Sequence, residues 1–494
     1  MKSYRNYING RWVEAKSGRR TQSINPANGE VLGEVPLSGP EDVEEAVAAA
    51  REAFRSWRLV PAPKRGEILY RAAEILRERK EELARMLTRE MGKVLPEARG
   101  DVQEAIDITY YMAGEGRRQF GHTVPAELPN KWAMSVREPI GVIAVITPWN
   151  FPVAIPSWKM MPSLVLGNTV VFKPASDTPI LAAMLVEILE EAGLPPGVVN
   201  LVFGSGEEVG EALLRHPGVD MVSFTGSVES GVHVATMCAQ HGLKRVSLEL
   251  GGKNAIIVLE DANLDLALEG ILWSAFGTTG QRCTACSRVI VQRSVAKKLE
   301  EMIAERAARL RLGDGLLETT DVGPLIHRRA VERVHRYVEI GRQEGARLVL
   351  GGEPAQEGEL AKGSFYRPTV FADVRPDMRI AREEIFGPVL SLIPVDTLEE
   401  AIQVNNSVQY GLSSAIYTQD VNRAFTAIRD LATGIVYVNA GTIGAEIQLP
   451  FGGYRNTGNG HREAGQAALD AYSEWKSIYV DYSGRLQRAQ IDNQ

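Results

Sequence analysis

The spacing of apolar residues changes along the chain, and each change predicts a different kind of element. Near the start, Tyr7-Ile8-Asn9-Gly10-Arg11-Trp12 sets a tight-turn dipeptide between two short alternating runs, the pattern of a β-hairpin. Asn25-Pro26 and Asn28-Gly29 mark a second turn. Helical spacing then takes over. Residues 42–57 are rich in alanine and glutamate, and across residues 64–91 Ile68, Ala72, Ile75, Leu76, Leu83, Met86 and Leu87 fall on one helical face. Arginine and glutamate occupy the other face at ion-pair spacing, so that face is predicted to be solvated. Between Gly121 and Arg137 the helical period is lost, and residues 122–124 and 132–136 read as extended pieces of a hairpin outside the main core.

From Ile140 to Leu250 short apolar runs at 142–146, 169–172, 198–203, 221–224 and 246–248 alternate with helices that begin near Ile155, Pro179, Glu207 and Ser227. Such alternation predicts βαβ units and a parallel sheet covered on both faces. A second region of the same kind runs to about Gly453, with strands expected at 255–258, 288–291, 347–350, 389–394 and 435–438 and long helices at 296–310 and 328–343. Residues 471–482 alternate and are aromatic, so they read as a late strand. The fold class is therefore α/β: two doubly wound domains with mostly parallel sheets, plus a small β extension.

Composition narrows the partners. With 494 residues the chain is long enough for two or three domains, and 44% hydrophobic and 24% charged residues exclude a disordered protein. A net charge of -7 with interspersed signs argues against a nucleic-acid surface and leaves a small molecule as the expected partner. Pro148, Asn150, Pro152, Lys159 and Asn168 interrupt the apolar stretch after Ile140, so no membrane span is expected, and MKSYRNYINGRW has no apolar signal core. The three cysteines, Cys238, Cys283 and Cys286, are too few and too odd for a disulfide framework, which points to a reducing, cytoplasmic compartment.

Candidate chemistry centres on Phe276-Gly277-Thr278-Thr279-Gly280-Gln281-Arg282-Cys283-Thr284-Ala285-Cys286. Small neighbours leave the Cys283 sulfur accessible, and Arg282 places a cation beside it that would favour the thiolate. The alternative is a small buried hydrophobe. Cys286 completes a C-x-x-C, but no second pair exists to finish a four-ligand zinc site, so no metal is expected. Two glycine-bearing stretches, Gly204-Ser205-Gly206-Glu207-Glu208-Val209-Gly210 and Phe224-Thr225-Gly226-Ser227-Val228-Glu229-Ser230-Gly231, follow predicted strands and open predicted helices, where backbone N–H groups can hold phosphate. Neither matches G-x-G-x-x-G, and a plain strand-to-helix turn explains either one equally well.

Together with Cys283, the stretches Thr147-Pro148-Trp149-Asn150-Phe151-Pro152, Phe224-Thr225-Gly226-Ser227, Leu248-Glu249-Leu250-Gly251-Gly252-Lys253, Glu383-Glu384-Ile385-Phe386-Gly387-Pro388-Val389 and Pro450-Phe451-Gly452-Gly453 resemble the aldehyde dehydrogenase superfamily over essentially the whole chain. The resemblance implies an oxidoreductase that converts an aldehyde to its acid with NAD(P)+ through a cysteine thiohemiacetal and thioester. It implies Cys283 as nucleophile, the Asn150 amide and the Cys283 N–H as oxyanion donors, and Glu249 as the base that activates water. It also implies cofactor contacts from Lys173 and Ser176 near the adenosine ribose, from Trp149, Gly226 and Ser227 near the pyrophosphate, and from Glu384 and Phe386 near the nicotinamide ribose. Lys159 matches a further lysine near the site, with a solvated surface lysine as the alternative. Laid onto the family's three-part plan, residues 1–118 and 140–250 form the NAD(P)-binding Rossmann-like domain, and 251–455 the catalytic domain. Residues 119–139 and 456–494 form a β extension that joins subunits into a homodimer or homotetramer.

Departures from the family pattern bear on specificity. Ser176 stands where many NAD-preferring relatives carry glutamate, which removes a charge that would repel a 2′-phosphate; NADP use is expected, though not exclusively. In Asn439-Ala440-Gly441-Thr442-Ile443-Gly444-Ala445-Glu446 small residues, Ala445 among them, replace the aromatic that relatives for simple aldehydes often carry, implying a wider mouth. Arg282 is similar to the arginine of members that accept carboxylate- or phosphate-bearing semialdehydes, with a structural arginine tied to the protein's own carboxylates as the alternative. The expected substrate is thus a carboxylate-bearing semialdehyde. The alternatives are neutral aldehydes of broad range or a non-phosphorylating glyceraldehyde-3-phosphate dehydrogenase-like reaction. Glu249 argues against a coenzyme-A-acylating relative, and Cys283, Glu249 and Asn150 together argue against a non-enzymatic one.

Overall fold

The computed structural model describes residues 2–492. Its first sheet has seven strands in the order Arg245–Glu249, Met221–Thr225, Val142–Ile146, Thr169–Lys173, Val199–Leu201, Asn6–Ile8 and Arg11–Val13. The first five are parallel, and the amino-terminal hairpin closes the edge antiparallel. Its turn is the expected Asn9-Gly10, with φ of 50° and 75°, the conformation that an Asn-Gly pair adopts most readily. Strands Val142–Ile146 and Thr169–Lys173 are buried throughout, which explains why they read as continuous apolar runs rather than alternating ones.

The second sheet also has seven strands, in the order Arg347–Leu350, Thr369–Ala372, Val389–Val395, Cys286–Gln292, Asn254–Val258, Ser413–Tyr417 and Ile435–Val438. It is parallel except at the Arg347–Leu350 edge. Two of its strands, Thr369–Ala372 and Ser413–Tyr417, were not anticipated: both are short and wholly buried, and neither alternates. The expected extension is a three-stranded antiparallel sheet in which Ser473–Asp481 pairs along Lys131–Pro139, with Thr123–Val124 at the far side. Residues between Thr457 and Tyr472 pack instead toward the first sheet: Leu250 N–H donates to the Thr457 carbonyl, and Tyr472 is wholly buried.

The expected helix over 64–91 is two helices, Ala62–Glu78 and Lys80–Met91, broken at Arg79 where ψ rises to 9°. Both pack on Leu95–Glu115, so the apolar spacing carries across the break and conceals it. The helix expected from Glu207 is a short wide turn, Gly206–Gly210, followed by Glu211–Arg215. Among the described residues no helix is long and apolar enough to cross a membrane.

Candidate active site

Cys283 follows a strained loop. Thr278 and Thr279 both have positive φ, 51° and 57°, a backbone region costly for β-branched residues, and both are buried. Their polar groups hold them there. Glu97 accepts from both the N–H and Oγ1 of Thr278 at 2.7 Å, and Thr279 Oγ1 donates to the Gly323 carbonyl at 2.9 Å. Gly280 follows at φ 69°, where a Cβ would lie 2.3 Å from the Gly387 carbonyl oxygen. Gln281 anchors the other side, donating to the Pro324 carbonyl and accepting from Ile326 N–H. The loop thereby delivers a largely buried Cys283, open on one side, to the junction of two cavities.

The larger cavity, about 500 Å³, is lined by Trp149, Asn150, Thr225, Gly226, Ser227, Leu250, Gly251, Cys283, Glu384 and Phe386, among others. Trp149 and Phe386 meet edge to face at 5.5 Å. Ser227 caps helix Val228–Gln240, its Oγ accepting from Ser230 N–H. Of the two glycine-bearing turns, 224–231 therefore reaches this cavity. Glu384 accepts from Gly252 N–H at 3.0 Å, and burial pushes its carboxyl up to about 7. Asn150 is buried; its amide N–H donates to the Gln281 carbonyl at 3.2 Å and its Oδ1 has no partner.

The smaller cavity, about 60 Å³, is lined by Glu104, Phe151, Ile155, Trp158, Glu249, Arg282, Cys283, Gly444, Ala445, Phe451 and Glu463, with a few others. Glu249 is buried with both carboxyl oxygens unpartnered, and desolvation, reinforced by the neighbouring Glu463, raises its carboxyl well above the usual range. Lys159 is no surface lysine. It is fully buried, ion-paired to Glu463, and donates to Ser223 Oγ at 3.2 Å, which in turn meets Tyr472 Oη at 2.7 Å. Sequence reasoning missed Glu463 and Glu104, which lie in no recognised motif and face the site only through folding.

Arg282 corrects one expectation. Its Nε donates to Thr278 Oγ1 at 2.9 Å, its Nη2 lies 3.6 Å from Glu97, and the guanidinium sits 5.4 Å over the Phe151 ring. It is thus held by its own loop and by Glu97, and its charge does not keep the thiol low. Burial, followed by the charges of Glu384 and Glu249, pushes Cys283 up to about 12. Cys286 is a core residue opening strand Cys286–Gln292, its thiol donating to the Arg288 carbonyl. Among the described residues no cluster of His, Cys, Asp or Glu could hold a metal.

Lys173 and Ser176 do not line the larger cavity. Lys173 ends strand Thr169–Lys173, donates to the Pro174 carbonyl at 2.8 Å, and is pushed down to about 8 by burial. Ser176 is exposed beside a hollow of about 300 Å³ that Asp177, His327, Arg328 and Lys362 also line.

Two doubly wound sheets whose junction joins a thiol, a buried carboxyl and a capped helix start have the parts of an enzyme that works through a covalent cysteine intermediate beside a phosphate-bearing ligand. The chain belongs to the aldehyde dehydrogenase family, whose model matches residues 12–478. It is 44% identical over 479 residues to an α-ketoglutaric semialdehyde dehydrogenase of Bacillus subtilis, covering 97% of this chain and 98% of the relative. An α-ketoglutarate semialdehyde dehydrogenase of Haloferax volcanii is 43% identical over 480 residues, 97% and 99% of the two chains. A crystal structure of betaine aldehyde dehydrogenase from Staphylococcus aureus in complex with NAD+ superposes with a TM-score of 0.96 at 36% identity, covering 98% of this chain and 96% of that one.

Proposed function

We propose that this enzyme oxidises a short aldehyde bearing a carboxylate at its far end, an α-ketoglutarate semialdehyde or a close analogue. The observation that carries this reading is the Arg282 guanidinium lining the same cavity as the Cys283 thiol. A carboxylate is the natural partner of that side chain. The two curated relatives carry α-ketoglutarate semialdehyde in their names, which supports the same substrate class.

In this reading the Cys283 thiol, which solvent reaches, gives its proton to water, and its sulfur adds to the aldehyde carbon. The second N–H of Asn150, free of the Gln281 carbonyl, and the Cys283 backbone N–H hold the resulting oxyanion. Glu249 takes a proton from water, which then opens the thioester, and the Glu463–Lys159 pair beside it holds the charge balance of that buried corner. The larger cavity suits NAD(P)+, which supplies the hydride acceptor when bound: Thr225 Oγ1 lines it without a hydrogen-bond partner, Ser227 opens a helix, and Trp149 and Phe386 form an aromatic wall. NADP is accepted alongside NAD, because Ser176 carries no charge and Arg328 and Lys362 line the hollow beside it.

The exposed Trp132, Trp475, Tyr479 and Val480 on the three-stranded sheet support pairing of subunits into a homodimer or homotetramer. Three free thiols suit a reducing, cytoplasmic setting. The test of the substrate is turnover of carboxylate-bearing aldehydes against neutral ones of equal length, by wild type and Arg282→Leu. Selective loss on the anionic set, roughly 10- to 100-fold for a charge-assisted contact, is expected. Equal loss on both sets would leave Arg282 a support for the loop alone.

A further inference from the structure

Glu104 belongs to none of the machinery described so far. It lies half-buried on helix Leu95–Glu115 and lines the smaller cavity with Arg282 and Cys283, and no hydrogen bond or ion pair from the described residues reaches its carboxyl. A carboxylate left bare in a cavity with aromatic walls is costly unless a ligand or a proton satisfies it. The charged and titratable groups around it come from several elements. Asp101 and Asp107 share its helix, Lys93 precedes that helix, Arg282 comes from the catalytic loop, and Tyr437 comes from strand Ile435–Val438. Lys93 is already committed to Asp101 in a fully buried pair at 3.0 Å, and Arg282 is partly committed to Glu97. Both still favour the ionised form of Glu104, but burial and Asp101 outweigh them.

We propose that Glu104 is a specificity-determining residue whose protonated carboxyl donates a hydrogen bond to the carboxylate end of the semialdehyde, beside the charge contributed by Arg282. Substrate of this class then binds to the protonated form and is repelled by the ionised one. This rests on the reading of the substrate given above. Burial and the neighbouring Asp101 raise the Glu104 carboxyl to about 7, so protonation is complete in mild acid and lost as pH rises through neutrality. An enzyme for neutral aldehydes would gain nothing from such a group.

The experiment is kcat/KM for a five-carbon carboxylate-bearing aldehyde and for pentanal, from pH 6 to 9, on wild type, Glu104→Gln and Glu104→Leu. Ionisation of Cys283 and Glu249 affects both aldehydes alike, so the anionic-to-neutral ratio isolates Glu104. In wild type the ratio should fall about tenfold per pH unit above about 7, through KM rather than kcat. Glu104→Gln, which keeps a donor and cannot ionise, should hold the ratio level across that range. Glu104→Leu should lower it roughly 10-fold or more at pH 6 by removing the donor, while pentanal turnover shows the variant to be folded. A wild-type ratio that favours the anion but does not change with pH, or a Glu104→Gln enzyme that keeps the wild-type decline, would overturn the role of Glu104 alone. A wild type that favours pentanal at every pH would overturn the substrate reading with it.

Discussion

The two cavities that meet at Cys283 are built by different means. The larger is lined largely by strand ends and the turns that follow them: Thr225 ending one strand with Gly226 and Ser227 after it, Leu250 and Gly251 after another, with Trp149 and Asn150 after a third. A cofactor of fixed shape can be held by such turns, where backbone N–H groups and close approach matter more than side-chain variety. The smaller is lined by side chains from helices, the catalytic loop and the carboxyl-terminal segments: Glu104, Trp158, Arg282, Ala445, Phe451 and Glu463. Changing one of these alters what fits without disturbing a turn. One fold can therefore keep its redox chemistry while its substrate changes, because the two functions rest on separable parts of the chain.

Ile155, Thr225, Leu250 and Cys283 line both cavities, and the largest effect should come from the one of them that reacts. Cys283→Ala should reduce acid formation to background while NAD(P) still binds, as checked by turnover and by cofactor titration; persistent turnover would remove Cys283 from the chemistry. Glu249→Gln, on the substrate side alone, should slow steady-state turnover by about 100- to 10,000-fold. Rapid-mixing measurements should still show one equivalent of reduced cofactor formed before the slow phase, because thiol addition precedes the step that needs the base. The sign of the pH dependence follows from the raised carboxyl: the base acts in its ionised form, and burial with Glu463 beside it disfavours that form, so the slow step in wild type should accelerate with rising pH and the variant should lose that dependence. A steady-state rate unchanged by the substitution would move the base elsewhere.

The same contrast explains what was legible in the sequence. Turn-borne residues announce themselves, since a glycine or an Asn-Pro turn is required at a particular place whatever the surroundings. For Asn150, Gly226 and Ser227 the turn alone leaves a plain local role open; they, Glu249 and Cys283 are assigned through motifs that resemble the family, and the structure gathers them around one junction. Glu104 carries no local signal, because it sits in an ordinary helix and acquires meaning only from the loop packed against it. Glu463 is equally silent: its partner Lys159 lies 304 positions away. The orientation of Arg282 was misjudged for a related reason. Adjacency in sequence placed its charge beside the thiol, but the positive φ of Thr278 and Thr279 curls the loop so that the guanidinium meets Thr278 and Glu97. In the fold, period alone missed the break at Arg79, and two short buried strands lacked any alternation to betray them.

A gentler perturbation of the cofactor side is Gly251→Ala. The added methyl would lie 2.1 Å from Glu384 Oε2, so the carboxylate must swing away and give up its bond from Gly252 N–H. The lost hold on the cofactor should raise its KM roughly tenfold, in line with about 1.5 kcal/mol for one charge-assisted hydrogen bond. The aldehyde KM at saturating cofactor should stay near wild type. A rise in the aldehyde KM instead would mean that the two cavities are coupled through Glu384.

The smallest expected effect is also the sharpest test of separability. Ser176 is exposed, outside the lining of the larger cavity, and its Oγ donates only to the Gly204 carbonyl at a long 3.3 Å. Ser176→Glu should therefore fold normally, and its effect should be electrostatic. A carboxylate there would face the 2′-phosphate of NADP but could accept from the ribose hydroxyls of NAD. Because the position is solvated, screening reduces the repulsion to about 1.4 kcal/mol, which predicts a roughly tenfold shift of the NADP-to-NAD ratio of kcat/KM toward NAD. Neighbouring charges work in opposite directions: Arg328 and Lys362 line the same hollow and favour the phosphate, whereas Asp177, which burial holds above the usual carboxylate range, repels it less the more it is protonated. The shift should accordingly shrink with added salt and leave the ranking of aldehydes untouched. A variant that alters aldehyde preference as well would break the division between the two cavities, and one that alters neither would place the reading of the ribose on Arg328 and Lys362.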